Sequence, residues 1–482
     1  MKNIKIYISM FLVFTMTSCM DEFIELKPIS TVSTDALYKT DGDFQDAVTG
    51  IYSVFRTQYT SMWLYGDMRG DDSYDELVKG TAAAMDLFTI NNDDNTIRNT
   101  WRNYYMAINR ANTVISKIEE VDGSVVRNKD RHMGEAKFLR ALAYFDMVRI
   151  FGDVPMIIKP ISIEESYELG REKVATIYQE VIIKDLLDAE TKLAANYSGA
   201  DAGRATSGAA KSLLGKVYLT LKDFTKAEVK LKEVTSMGYA LLTEYDDLFD
   251  YSKNEHHSEY IFDIEYIDGG LGLGNNFTNL FFPKNPPITN FYNINGGGDD
   301  ANNPPRSLFA LFPPGDKRKD VTAADGWVDE DGNFNQLMPA ANASSTFTKK
   351  YLIPNIPLRN DGRANWKVIR YADVLLMLAE ALNENGKTEE ALGLLNQVRD
   401  RAGLSGYSGI SQNQTRENIY LERRLELSFE GHRWFDLVRT GRALSTMEPY
   451  GMKPYMTVFP IPLSQIQLMN NPAIFPQNPG YD

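Results

Sequence analysis

Apolar positions recur at helical spacing over most of this 482-residue chain, and two stretches repeat one helical-hairpin pattern. In the first, Leu214-Gly215 is followed by Tyr218 and then by Ala227, Leu231 and Val234. In the second, Leu378-Ala379 is followed by Leu382 and then by Ala391, Leu395 and Val398. From small residue to small residue the offset is twelve both times, which is the tetratricopeptide arrangement. A small side chain on one helix lets the next approach closely while large apolar residues interlock around it. Lys222-Asp223 and Asn385-Gly386-Lys387 fall where each hairpin must reverse, with Gly386 placed to cap a helix C-terminus. Further helices are predicted over about 134–150, with Ala141 and Tyr144 at the matching spacing, and over about 415–439. Tandem solenoid units follow one another directly. These do not, so they read as a scaffold on which loops are mounted.

The pattern changes after a short alternating segment, Tyr260 to Tyr266, that predicts a strand. Gly269-Gly270, Pro286-Pro287, Gly296-Gly297-Gly298, Pro304-Pro305 and Pro313-Pro314 then punctuate the chain at a density that predicts no helix. The same stretch carries Phe277, Phe281, Phe282, Phe291, Tyr292 and Trp327, and rings are depleted in disordered segments. Ordered loops with outward-facing rings are the expectation. The predicted class is therefore mostly α, with minor β hairpins. A helical scaffold over about 35–265 and 366–482 carries a loop-rich, ligand-facing insertion over about 266–365, all within one domain of residues 19–482.

Residues 1–18 read as an export signal: Lys2 and Lys5 precede an apolar run, Ile6 to Met16, that is too short to span a bilayer. Met16-Thr17-Ser18-Cys19 resembles a relaxed lipobox, with Met16 where Leu is preferred. An ordinary secretory signal with an incidental cysteine is the alternative. Cys19 is the only cysteine, so no intrachain disulfide can form, and a lone thiol at this position makes sense as a lipid attachment site. Removing the signal takes the formal charge from −14 to −16, because only Lys2 and Lys5 are lost, and so acidic a chain is a poor nucleic-acid binder.

Four segments together resemble the SusD/RagB family of outer-membrane nutrient-binding lipoproteins. They are Gly134-Glu135-Ala136-Lys137-Phe138-Leu139-Arg140-Ala141 leading to Phe151-Gly152-Asp153-Val154-Pro155; the helix from Arg370 to Asn383; Glu422-Arg423-Arg424-Leu425-Glu426-Leu427 through Glu430-Gly431-His432-Arg433-Trp434-Phe435-Asp436-Leu437; and Phe459-Pro460-Ile461-Pro462 with Gln477-Asn478-Pro479-Gly480-Tyr481. The resemblance implies a SusD-like fold with tetratricopeptide-like units and no enzymatic activity. It further implies a lipid-anchored position on the outer face of the outer membrane, where Asp21 and Glu22 resemble the export signal of such lipoproteins, and a SusC-like TonB-dependent transporter as partner. The ligand expected is an oligosaccharide or polysaccharide; a peptide-binding or assembly role in the same system is the alternative, and a glycoside hydrolase a more distant one.

Glu422, Glu426 and Glu430 lie at i, i+4 spacing, which would put three carboxylates on one helix face. A glycosidase pair needs one carboxyl with a raised pKa, whereas Arg423, Arg424, Arg433 and Arg439 nearby favour ionised carboxylates. Glu422, Arg423, Glu426, Glu430, Arg433 and Asp436 are therefore expected to form a structural ion network. No catalytic constellation, metal site or cofactor motif is present, and adjacent His256-His257 seldom point the same way. Asp299-Asp300 with Asn302-Asn303 has calcium-type oxygen ligands, although such clusters more often form solvated turns. Sugar recognition needs flat rings beside Asn, Asp and Arg. Trp101, Trp366 and Trp434 sit on helical stripes or beside the family helices and are expected in the core. Trp63 and Trp327 remain as ligand candidates, with Tyr65, Arg69, Asp72, Tyr74, Tyr292 and Asn293 as companions.

Overall fold

The structure is a computed structural model and describes residues 37–74, 80–253, 255–337 and 345–481. The export signal, Cys19 and the Asp21-Glu22 pair lie outside the described residues. The principal helices are α1 (Asp41–Tyr59), α2 (Asn95–Glu120), α3 (Lys129–Phe151), α4 (Ile183–Lys192), α5 (Ser207–Thr220), α6 (Phe224–Thr235), α7 (Tyr371–Glu384), α8 (Thr388–Arg401), α9 (Gln412–Leu427) and α10 (Arg433–Arg439). Among the described residues no helix is long and apolar enough to cross a membrane.

Local chemistry sets the helix starts. Thr40 and Asp43 form a reciprocal capping box at α1, and the Asp94 carboxylate accepts from the Thr96 and Ile97 amides at 2.7 and 3.3 Å at α2. Each helix then packs on its neighbours in chain order: α1 on α2, α2 on α3, α3 on α4, α4 on α5, α5 on α6. The series does not stop at the insertion. The next partner of α6 is α7, more than 130 residues further along the chain, and α7 in turn packs on α8 and α9. Hairpins that are separated in sequence are thus consecutive in space. The joint is polar as well as apolar, with Glu228 of α6 accepting from Asn385 Nδ2 at 2.8 Å and pairing with Lys387 Nζ at 2.6 Å.

The expected small-residue contact is present in α5/α6. A Cβ built on Gly215 would stand 2.5 Å from Leu231 Cδ2 and 2.6 Å from its Cγ, so the helices approach as closely as they do only because position 215 has no side chain. In the fourth predicted helix the structure differs from the expectation. It breaks after Leu427, where Phe429 and Gly431 take positive φ of 65° and 77°, and resumes as α10. Glu430 therefore sits in a turn and not on the helix face shared by Glu422 and Glu426.

The insertion leaves the scaffold through β1 (Tyr260–Ile264) and returns through β4 (Trp366–Arg370), which pair antiparallel and close its base. It is also less irregular than its Gly and Pro content predicts. Short helices occupy Phe277–Phe281, Pro286–Phe291, Arg306–Phe309 and Lys319–Thr322, and β2 (Gly326–Val328) pairs with β3 (Phe334–Gln336). Pro286-Pro287 do not prevent a helix because they open it, where the missing N–H would be unpaired anyway. A second, small apolar cluster forms inside the insertion around Phe282, Ile288, Ile294, Trp327, Phe347 and Ile356.

Gly215→Val should lower the thermal midpoint without changing the far-UV circular dichroism, because overpacking a tight helix contact costs about 1–3 kcal/mol. Scanning calorimetry of the mature chain checks this.

Candidate functional site

The insertion is bolted to the helices by buried charge. Arg370, 2% exposed, reaches Glu430 Oε2 at 2.7 Å, Glu259 Oε1 at 2.9 Å, Glu426 Oε1 at 2.5 Å and the Glu426 carbonyl at 2.7 Å. Arg318 holds Asp316, Glu422 and Glu426 at 2.8, 2.6 and 3.1 Å; Lys350 holds Glu430 at 2.6 Å; Arg399 pairs with Glu422 at 2.9 Å; Arg401 pairs with Glu259 at 3.2 Å and with Glu426. Five carboxylates (Glu259, Asp316, Glu422, Glu426, Glu430) thus meet five cations (Arg318, Lys350, Arg370, Arg399, Arg401), so the buried charge balances. Burial raises the pKa of Glu426, but Arg401, Arg370 and Arg318 outweigh it and hold the carboxyl well below its ordinary range. For Glu430 burial is likewise outweighed by Arg370 and Lys350, leaving a pKa of about 2. Neither carboxyl holds a proton to give at neutral pH, which is the reverse of what a glycosidase acid requires. Beside this cluster Arg423 joins Asp373 and Asp436 at 2.8 and 3.0 Å, and Arg433 reaches Asp71 at 2.7 Å.

The N-terminal loop is a second clamp and not a ligand surface, which corrects the sequence expectation for four residues. Trp63 is 6% exposed, donates to the Thr60 carbonyl at 3.1 Å and stands edge-on to Phe281. The Tyr65 hydroxyl donates to Thr100 Oγ1 at 3.0 Å within the core. The sealed Arg69 guanidinium lies 3.7 Å over the Phe88 ring and donates to the Met85 carbonyl at 3.0 Å. Asp72 pairs with Arg424 at 2.5 Å, and burial, only partly offset by Arg424 and Arg433, lifts its pKa. The short helix Met62–Gly66 turns Trp63 and Tyr65 into the core, while Arg69 is held by the Phe88 ring and Asp72 by its ion pair with Arg424.

Past Asp72 the loop meets the insertion. Tyr74 and Asn303 exchange backbone hydrogen bonds at 3.1 and 2.9 Å, and Ser73 Oγ donates to Asn302 Oδ1 at 2.5 Å. Asp299 pairs with Arg359, and Asn303 Nδ2 donates to the Asp300 carbonyl at 2.6 Å, so this Asp/Asn cluster ties loops together. Among the described residues no group of three or more His, Cys, Asp or Glu side chains is arranged to hold a metal.

From that junction contacts lead to an open ring patch. The Asp300 amide donates to the Phe282 carbonyl at 3.0 Å, Phe282 stands edge-on to Tyr292, and the ring of Phe291 lies 4.9 Å from Tyr292 and 6.3 Å from Trp327 at a 39° tilt. Phe291 is 38% exposed and Tyr292 half-buried, whereas Trp327 is only 9% exposed and backs the other two. Asn293, exposed and at φ 50°, donates to Asn355 Oδ1 at 3.1 Å beside the rings. The arrangement offers a ring face with amide donors and acceptors at its edge. Trp327, Tyr292 and Asn293 are thus brought together; Phe291, the most exposed ring of the group, was not distinguishable from its five aromatic neighbours by sequence. A cleft of about 410 Å³ lies between α2, residues 155–169 and the C-terminal segment; Trp101 and Phe475 at its floor are 5% and 3% exposed, and Tyr105, half-buried, and Tyr167, exposed, stand on its walls among aliphatic side chains.

This fold has close relatives. A solved laminarin-binding SusD-like protein is 30% identical, with a TM-score of 0.78 over 92% of this chain and 100% of that one. The chain belongs to the SusD family. The SusD family model matches residues 300–458, and a model described as starch-binding and associating with the outer membrane matches residues 22–219. A SusD-like protein of Formosa agariphila is 28% identical over 100% of this chain and 99% of its own length, and the starch-binding protein SusD of Bacteroides thetaiotaomicron is 25% identical over 76% and 75%. Both SusD-family models take in parts of the buried network, since the first spans Asp316 to Glu430 and the second the N-terminal clamp.

Carboxylates with depressed folded pKa values stabilise the protein above their ordinary value of 4.5, and that stability is lost as pH falls toward about 2 for Glu430. The thermal midpoint should therefore fall steeply below pH 4.5. Glu426→Gln should lower the midpoint at pH 7, through a stability loss of about 3 kcal/mol for one broken member of a buried pair, and flatten the acid limb; calorimetry across pH reads both.

Proposed function

We propose that this SusD-family chain is a cell-surface glycan-binding lipoprotein that captures an oligosaccharide or polysaccharide on the Phe291/Tyr292 patch, without cleaving it, and passes it to a TonB-dependent outer-membrane transporter of the SusC type. The observation that carries the reading is the ring pair itself, an exposed Phe291 beside a half-buried Tyr292, backed by Trp327 and edged by the Asn293–Asn355 amides. Rings of this kind cover the apolar face of a sugar, while amides bond its hydroxyls. The relative with 30% identity is described as laminarin-binding, which makes a β-glucan the first ligand to test.

The patch is preformed. Phe282, Phe347 and Ile288 lie beneath it in the small core of the insertion, and the ion network fixes that insertion through Asp316, Arg318 and Lys350. A preformed shallow surface binds with little ordering cost but also with few contacts. At about 1 kcal/mol per stacked ring and a few hydrogen bonds, affinity falls in the micromolar to millimolar range, as suits a protein that must release its cargo. Cys19 would carry the acyl chains that hold the protein at the membrane, since more than one chain is needed for durable anchoring.

Isothermal titration with laminarihexaose, maltohexaose, xylohexaose and a peptide panel separates glycan from peptide ligands. Phe291→Ala and Trp327→Ala should each weaken glycan binding about fivefold, the equivalent of about 1 kcal/mol, with no release of reducing ends. Trp63→Phe should leave affinity unchanged, and unchanged affinity in the Phe291 and Trp327 variants would refute the site. Cys19→Ala, expressed with the full signal, should abolish labelling by radioactive palmitate and move the protein from the membrane fraction to the soluble one.

A further inference from the structure

Three helical faces converge on the cleft beside α2, and none of them belongs to the insertion. α2 contributes Trp101, Tyr105 and Ile108; the helix Ile163–Ser166 and the residue after it contribute Ile163, Ser166 and Tyr167; the helix Leu463–Met469 contributes Gln465, Leu468 and Met469. Each set is spaced at i, i+4, i+7 or i, i+3, i+4 and so lies on one side of its helix. Short helices draw most of their stability from the apolar face they cover. Yet neither of these two flanking helices buries a single residue, and Ile163 and Leu468 stand 71% and 53% exposed. They are the walls of an opening of about 410 Å³, which falls within the size range of small-molecule sites.

The remaining wall, residues 155–161, is already fixed. The carbonyls of Pro155, Ile157 and Ile158 accept from the Tyr105 hydroxyl, Asn112 Nδ2 and Arg140 Nη1 at 2.8, 2.9 and 3.0 Å, and that of Lys159 accepts from Asn112 Nδ2 at 3.4 Å. The Ile157 amide donates to the Tyr144 hydroxyl at 2.6 Å, and Pro155 and Pro160 have no N–H. A wall whose polar backbone is turned to the scaffold makes a poor strand edge for a peptide, whose own N–H and C=O groups would be left unpaired. A saccharide meets the same obstacle. It carries hydroxyls around each ring, and Ile108, Pro155, Ile157, Ile161 and Leu169 would strip them of water without replacing the bonds.

The lining suits an apolar body with one charged end. Arg102 is the one charged residue on it; Glu164, Glu165 and Glu168 belong to a neighbouring segment but do not line the opening. The Arg102 guanidinium is exposed and makes no hydrogen bond or ion pair with the described residues. Trp101, only 5% exposed, has an indole N–H that likewise donates to none of them. Two donors without acceptors thus come from consecutive residues of α2, beside aliphatic walls and with no acid facing them. A carboxylate accepts from both kinds of donor.

We infer that this cleft binds an amphiphile of the long-chain carboxylic acid class, its aliphatic chain held by Ile163, Leu468 and the α2 rings and its carboxylate by Arg102. The site is separate from the ring patch, and the inference does not rest on the glycan-binding reading above.

The test is isothermal titration of the full mature chain with decanoate below its micellar threshold, with decanol and laminarihexaose in parallel. Decanoate should bind saturably and about fivefold more tightly than decanol, the scale of one exposed ion pair. Arg102→Gln should remove that difference and leave decanol binding as it is. Ile163→Asn and Leu468→Asn, both at exposed positions, should each weaken decanoate and decanol about tenfold by placing an amide where the chain lies. Thermal melts confirm that each variant is folded, and Phe291→Ala/Tyr292→Ala should bind decanoate as the wild type does. Decanoate binding that is absent from the wild type, indifferent to Ile163 and Leu468, or lost with the ring patch would overturn the site. An affinity for decanoate no greater than for decanol would overturn the carboxylate, and laminarihexaose binding abolished by Ile163→Asn would show a saccharide cleft in its place.

Discussion

The whole architecture depends on the guanidinium of Arg370. It stands at the junction of β4 and α7, where the chain re-enters the helical series after the insertion, and it is sealed from water between three carboxylates. Burying such a group is costly unless every charge around it is matched and hydrogen-bonded. Here the match is supplied from four places: the residue before β1, Glu259; α8 through Arg401; α9 and its following turn through Glu426 and Glu430; and the insertion through Asp316, Arg318 and Lys350. No element can shift without leaving a buried ion unpaired. Apolar packing alone would hold these parts together but would tolerate sliding; the ion network fixes their registration.

That registration is what lets an insertion so rich in glycine and proline present an ordered surface. Phe281 and Phe282, adjacent in sequence, mark the division of labour. Phe281 turns into the main core and meets Trp63, while Phe282 turns into the small core of the insertion and meets Tyr292. The first joins the insertion to the scaffold, and the second supports the rings that face water. The same economy explains why the N-terminal loop, rich in rings and charges, spends them on structure: its Trp63, Arg69 and Asp72 close the seam between α1, α9 and the C-terminal segment.

A binder that takes hold of a polymer gains little from one deep pocket. Shallow, preformed surfaces on separate elements, each weak, keep exchange fast and still retain a long chain. The ring patch stands on the insertion, and the buried ion network holds that insertion against the helical scaffold through Asp316, Arg318 and Lys350.

The helical hairpins, the position of the strand at the insertion's base and the charged character of α9 were all legible in the sequence, because each is a matter of local spacing. The close helix approach at Gly215 could be read from its twelve-residue offset to Ala227, although the side chain that fills the space, Leu231, is known only from the packed helices. Tertiary structure decided which rings face water. Trp63 and Trp327 have similarly mixed surroundings in sequence, yet the first is packed in the main core on Phe281, more than 200 positions away, and the second backs an exposed Phe291 of its own insertion. The break that lifts Glu430 off its helix and the pairing of α6 with α7 across the insertion are likewise products of distant contacts. Spacing along a chain fixes which side of an element a residue occupies, whereas only the packed neighbours determine whether that side is covered.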